Sequence, residues 1–113
     1  MRRLVAVVVV VVSGCATTPA EIRALGPIIA RPVSTTAEAT GKCVLRTAQD
    51  RGLPASMRSG NNGAVEVLVY GGDSILLAVI ESVPSARGAQ INAYVSNNVL
   101  TQEKFAMNVT EGC

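Results

Sequence analysis

The spacing of hydrophobic positions changes along the chain, and the first clear pattern is helical. Over residues 36–51, apolar side chains such as Val44 and Ala48 recur at roughly helical spacing, and glycine and proline follow the segment. Thr35 fits the first position of a capping box, with its hydroxyl on the amide three residues later. The pattern predicts one helix here, weakened by Gly41 in its middle.

Alternating and apolar runs then predict strands. Residues 64–70 and 74–83 are rich in β-branched residues, and the Gly-Gly-Asp joint at 71–73 indicates a hairpin between them. The second run is apolar on both faces, so we expect a central strand that is covered on both sides and ends at Pro84. Residues 89–95 alternate as a third strand with one polar face.

A second helical pattern follows the strands. Thr101 is suited to an N-cap, and Leu100 and Phe105 occupy the positions of a hydrophobic staple. An apolar stripe continues to Val109. The predicted fold over residues 35–113 is therefore α+β: a helix, a three-stranded antiparallel sheet, a C-terminal helix and one disulfide.

The start of the sequence carries a different signal. Arg2 and Arg3 precede the apolar run 4–12, which as a helix would cover roughly 14 Å, about half of a bilayer's hydrocarbon core. Small residues and a cysteine follow, an order typical of secretory signals. The motif Val12-Ser13-Gly14-Cys15 resembles the lipobox of bacterial lipoproteins, in which the cysteine sulfur is acylated before the signal is cleaved.

This resemblance implies a location. Residues 1–14 would be a signal peptide, and Cys15 would carry acyl chains such as palmitate at the start of the mature protein. Ala16, where retained inner-membrane lipoproteins often have Asp, favours the outer membrane of a Gram-negative host, facing the periplasm. Residues 15–34 are expected to be a tether, in which residues 18–21 could start one short helical turn. The alternative is an ordinary secretory signal.

Composition narrows the chemistry. The chain has no His, which excludes triads with an imidazole base and most zinc and haem sites, so we expect no metal and no cofactor. The ten basic and eight acidic side chains become equal in number when residues 1–14, with Arg2 and Arg3, are removed. Nucleic acid is therefore not an expected partner.

Two further cysteines are expected to pair. With Cys15 acylated, Cys43 and Cys113 remain, and an even pair in an exported domain indicates a disulfide. Closing a loop of about 70 residues stabilises a chain by roughly 4 kcal/mol in the chain-entropy model. The alternative, a redox-active or metal-binding pair, lacks a C-x-x-C motif and histidine.

The acidic residues give weak evidence for catalysis. Glu66 and Glu81 are nearly equidistant from the hairpin turn and could meet across it, as an acid–base pair would. Such glutamates more often form a solvated strand face. We therefore expect no enzyme, but a lipid-anchored binding or structural module whose partner is an envelope protein or a cell-wall component.

A second resemblance suggests one particular partner. The stretch 65–70, together with Ser85-Ala86-Arg87-Gly88-Ala89, resembles the small lipoprotein inhibitors of C-type lysozyme. The resemblance implies that the loop around Arg87 enters the lysozyme cleft, and it makes Arg87 the candidate for partner contact. The chain departs from the family, since Arg87 replaces the contacting serine and Ile91 replaces a tyrosine. That family is also an all-β barrel, whereas a C-terminal helix is predicted here.

Overall fold

A computed structural model describes residues 18–113 as one antiparallel sheet with helices on both of its faces. The predicted signal peptide and Cys15 lie outside the described residues. In chain order the elements are α1 (Pro19–Ala24), β1 (Ile29–Val33), α2 (Ala37–Asp50), β2 (Ala55–Ser59), a short 3-10 turn (Asn61–Gly63), β3 (Val65–Tyr70), β4 (Leu76–Ser85), β5 (Gly88–Val95) and α3 (Gln102–Val109).

The sheet has five strands in the order β1-β5-β4-β3-β2, so the prediction of three strands was wrong. The α+β class, the C-terminal helix and the three predicted strands are present. The two missed strands, β1 and β2, form the edges of the sheet and contain five residues each. Pro32 in β1 argued against a strand, but an edge strand tolerates proline because only one of its sides has to pair.

The segment expected to be a tether belongs largely to the folded domain. Within residues 18–34, α1 packs on the sheet and buries Ile22 completely, and β1 pairs with β5. The short helix begins as predicted, with a capping box in which the Glu21 N–H donates to Thr18 Oγ1 (3.2 Å) and the Thr18 N–H donates to Glu21 Oε1 (3.0 Å). The described part of this range is therefore not a linker.

The core lies on both faces of β4, as its sequence predicted. On the first face, α2 and α3 cover a cluster that includes Ile80 and Ile91. On the second face, Ile22 of α1 packs with Leu68 and Val79. The prediction that Pro84 ends β4 was wrong, because the strand continues to Ser85. The first residue of β3 pairs with Ser82, so no strand pairs with β4 on that side beyond this point and Pro84 needs no N–H there.

Helix α2 matches its predicted span within a residue, but its N-cap differs. Thr36 caps the helix, with its Oγ1 accepting from the Ala39 N–H at 3.1 Å, so the capping box predicted from Thr35 was wrong. Close packing explains the glycine at position 41 in the middle of α2. A Cβ there would lie 2.7 Å from Cγ1 of Val65, so the glycine lets α2 approach β3 closely.

Helix α3 is also present, without its predicted staple. Thr101 is its N-cap residue but its side chain makes no capping hydrogen bond. Leu100 is exposed and cannot staple the helix through Phe105. The predicted disulfide is confirmed: Cys43 of α2 is bonded to Cys113, with their Cα atoms 5.8 Å apart, which ties α2 to the segment after α3.

Gly88 provides a test of how the β4–β5 turn packs on the chain between β1 and α2. Its φ is 149°, and a Cβ there would lie 2.6 Å from the Val33 carbonyl oxygen and 2.8 Å from the Thr35 carbonyl oxygen. Because both atoms are backbone atoms, we expect Gly88→Ala to lower the free energy of unfolding by about 2 kcal/mol or more.

The matched control is Gly72→Ala, since a Cβ at Gly72 meets nothing within 4 Å. Its effect should stay within about 0.5 kcal/mol. Urea denaturation of both variants under oxidising conditions measures the difference. Equal midpoints would show that the contact at Gly88 is not tight.

Candidate functional site

The second face of the sheet carries a group of four charged side chains beside α1. Glu66 lies on β3 and Glu81 lies directly opposite it on β4, so the predicted meeting of the two glutamates across the hairpin is confirmed. Arg23 comes from α1 and Arg58 from β2. We call these four residues the ion-pair cluster.

The contacts of the cluster pair each carboxylate with an arginine. Arg23 contacts Glu66 and also lies 3.3 Å from Glu81 through its Nη1. The Arg58 Nε donates to Glu66 Oε1 at 2.6 Å. Asn92 Nδ2, on β5, donates to the other oxygen of Glu81 at 3.4 Å. Two cations and two anions thus form a group with no net charge.

This arrangement explains how two glutamates can lie opposite each other. Like charges directly opposite in neighbouring strands are destabilising unless something compensates them. Arg23 lies against both carboxylates, and Glu66 is only 7% exposed. The oxygens of both glutamates already accept from guanidinium and amide groups. The two glutamates are therefore ion-pair partners rather than an unpaired acid and base.

Tyr94 extends the cluster along β5. The Arg23 guanidinium lies 5.8 Å from the centre of its ring, within the range of a cation–π contact. Burial raises the pKa of the Tyr94 hydroxyl above its usual value, and the negative charge of Glu81 raises it further. Tyr94 is therefore a neutral hydrogen-bonding group at ordinary pH.

The ion-pair cluster lies beside an open concavity of about 580 Å³. Besides the cluster, this space is lined by Val83 of β4 and by the 3-10 turn with its flanks: Ser59, Gly60, Asn61, Asn62 and Ala64. Its size falls in the range of small-ligand sites, but its walls are polar and charged, whereas such sites are predominantly apolar. It is suited to contact with a polar surface.

Arg87 lies apart from this group. It is exposed in the two-residue turn between β4 and β5. At about 3.4 Å per residue of strand, Arg87 is roughly 20 Å along the chain from Glu81. The structure therefore brings Glu66 and Glu81 together with two arginines but leaves Arg87 as a separate surface feature.

The two arginines of the cluster were missed as site residues. Arg23 lay in the predicted tether, and Arg58 lay between the first predicted helix and the first predicted strand, where no element was assigned. A cross-strand pairing of Arg58 with Glu66 could have been found only after β2 was recognised, because the register places these residues opposite each other.

Within residues 18–113, no three acidic or cysteine side chains are placed to hold a metal ion. No helix in this described part is long and apolar enough to cross a membrane.

Comparison with protein families, with curated proteins and with solved structures finds no match to the chain.

Removing Arg23 tests whether the arginines of the cluster compensate the repulsion between Glu66 and Glu81. We expect Arg23→Gln to lower the free energy of unfolding by about 2 kcal/mol at pH 7, because Glu66 and Glu81 would face each other with one arginine fewer. The loss should exceed that caused by removing an arginine from an exposed ion pair, because Glu66 is only 7% exposed.

Arg51→Gln is the control for losing an arginine, since Arg51 pairs with Glu111 on the exposed surface. Its effect should remain below about 1 kcal/mol. Denaturation curves at pH 7 compare the variants. Similar losses in both would mean that the cluster adds nothing beyond a surface ion pair.

Proposed function

We propose that the chain is a lipid-anchored protein of the bacterial cell envelope whose domain binds an envelope partner without catalysing a reaction. The observation that carries the proposal is the motif Val12-Ser13-Gly14-Cys15 after Arg2, Arg3 and an apolar run. In this proposal Cys15 carries the acyl chains, and the domain faces the periplasm from the outer membrane. Two or three acyl chains hold a protein firmly on a membrane, whereas one binds reversibly.

The disulfide supports export. Cys43 and Cys113 are bonded in the described domain. Structural disulfides persist in oxidising compartments such as the periplasm and are rare in the cytosol. The bond closes a loop with a sequence separation of 70, so its loss would remove a large part of the stability of a domain this small.

The polar surfaces support binding rather than catalysis. The carboxylates of Glu66 and Glu81 are engaged by arginines, and the concavity beside them is lined by polar side chains. Arg87 adds an exposed cation at a hairpin tip. A protein surface or a cell-wall polymer with polar groups fits these features. Nucleic acid fits them poorly, because basic and acidic residues balance after residue 14.

A second candidate is inhibition of C-type lysozyme through the loop around Arg87. The exposure of Arg87 in the two-residue turn between β4 and β5 favours it, since an exposed turn is accessible to an enzyme. The fold weighs against it. The family that the loop resembles is an all-β barrel, and this sheet is covered by α2 and α3 instead.

The lipid anchor is tested by intact mass of the protein extracted from membranes of a Gram-negative host. We expect a chain that starts at Cys15 with added acyl mass, and two thiols that become available only after reduction. Cys15→Ser should abolish the acyl mass and move the protein out of the membrane fraction. An unacylated chain that keeps residues 1–14 would contradict the proposal.

The two candidates are separated by a lysozyme turnover assay with the purified domain at micromolar excess. If the protein is a binding module for another partner, turnover stays unchanged. Inhibition that Arg87→Ala relieves, while Lys104→Ala on the exposed surface of α3 does not, would instead favour the inhibitor. Both substitutions remove one exposed cation, so they are matched in charge.

A further inference from the structure

Few large hydrophobic side chains of the described domain are exposed, and most of them lie in loops. The exposed fractions are 48% for Leu25, 42% for Ile75, 98% for Leu100 and 57% for Met107. Met107 lies on α3, and the other three lie outside any helix or strand. A single exposed leucine needs no explanation, but several that share one side of a molecule do.

The topology places these three loops at the same end of the sheet. Leu25 precedes β1. The start of β1 lies beside the end of β5, because the Ile28 N–H donates to the Ala93 carbonyl. Ile75 belongs to the turn that joins β3 to β4. Leu100 follows β5 in a loop that begins where the Ser96 N–H donates to the Leu77 carbonyl. We call Leu25, Ile75 and Leu100 the apolar end.

The opposite end of the sheet is polar. Its loops contain Ser34 and Thr35, the turn Asn61–Gly63, and the β4–β5 turn with Arg87. None of the exposed large hydrophobic side chains of residues 18–113 lies in these loops. β4 has ten residues and spans about 30 Å, so the two ends of the sheet are separated by roughly that distance.

The first described residue, Thr18, follows Cys15, the residue of the proposed anchor, by only three positions in the sequence. The capping box fixes Thr18 at the start of α1, and only Ala16 and Thr17 separate it from Cys15. Even fully extended, this link reaches about 11 Å. Helix α1 adds about 9 Å between its start and Leu25. A membrane that holds Cys15 is thus within about 20 Å of Leu25.

We propose that the apolar end rests on the lipid bilayer, with Leu25, Ile75 and Leu100 in the boundary between headgroups and acyl chains. The inference rests on the lipid anchor proposed above and adds the orientation of the domain on it. Side chains of this kind enter the bilayer by about 5–10 Å. The polar end, with Arg87 and the concavity beside the ion-pair cluster, then faces away from the membrane towards a partner.

The loops at the apolar end carry charges of both signs. Asp73 lies in the turn containing Ile75 and accepts from the Ile75 N–H through Oδ1 at 3.3 Å. Arg51 lies in the loop before β2, which enters the sheet where the Tyr70 N–H donates to the Pro54 carbonyl. Zwitterionic phosphatidylcholine is therefore the suitable bilayer, because it carries no net charge to attract or repel either side chain.

The chain contains no tryptophan, so each introduced indole reports on one position alone. The membrane-extracted proteins with Leu100→Trp or Ile75→Trp would be reconstituted in phosphatidylcholine vesicles with or without bromine on the acyl chains. Ala86→Trp, in the exposed turn of the polar end, is the matched control. We expect brominated lipid to quench about half of the emission of the first two indoles, since they reach the acyl boundary. The Ala86→Trp indole should keep its emission.

Vesicle flotation of the same samples separates the two proposals. If the proteins float and brominated lipid quenches all three indoles equally, quenches only Ala86→Trp or quenches none, the orientation is wrong while the lipid anchor stands. If the membrane-extracted protein does not float, the anchor is wrong and the orientation fails with it. Denaturation midpoints close to that of the unsubstituted protein establish that the exposed substitutions leave the fold intact.

Discussion

β4 is buried on both faces, and the arrangement of the other elements follows from this requirement. Ala78 and Ile80 face α2 and α3, while Val79 faces α1, and all three side chains are almost completely excluded from solvent. A strand with two apolar faces is stable in water only when both are covered. Two helices cover the first face. The second depends on Ile22, whose burial contributes about 1.5–3 kcal/mol. The segment before β1 is thereby drawn into the fold.

The elements in which hydrophobic positions recur over a long segment were predictable from the sequence, whereas the edge strands of the sheet were not. α2, the β3–β4 hairpin, β5 and α3 carry enough apolar positions for the period to be recognised. β1 contains Pro32 and β2 contains Ser56 and Arg58, so neither five-residue strand shows a run of its own. Their structure comes from pairing with β5 and β3, which is a tertiary effect that overrides local preference.

The candidate site was only half predictable because the segments that carry Arg23 and Arg58 were not recognised as parts of the fold. The register of the hairpin placed Glu66 opposite Glu81, which suggested an acid–base pair. Arg23 and Arg58 come from segments that showed no regular pattern, and they turn that pair into a neutral group. Replacing a buried ion pair by apolar residues is often neutral for stability. The more specific effect of Arg23 is positional, since it joins α1 to both β3 and β4.

The fixed position of α1 determines what the proposed lipid anchor would do to this domain. A flexible tether of residues 15–34 would let the domain adopt any orientation, because a coil of that length loses memory of its direction. Here Ile22 in the core and Arg23 in the ion-pair cluster hold α1 on the sheet, which leaves Ala16 and Thr17 as the link to Cys15. If Cys15 carries the proposed anchor, so short a link would restrict the distance between sheet and bilayer. The distribution of apolar and polar loops at the two ends of the sheet would then select one orientation among those that the link permits.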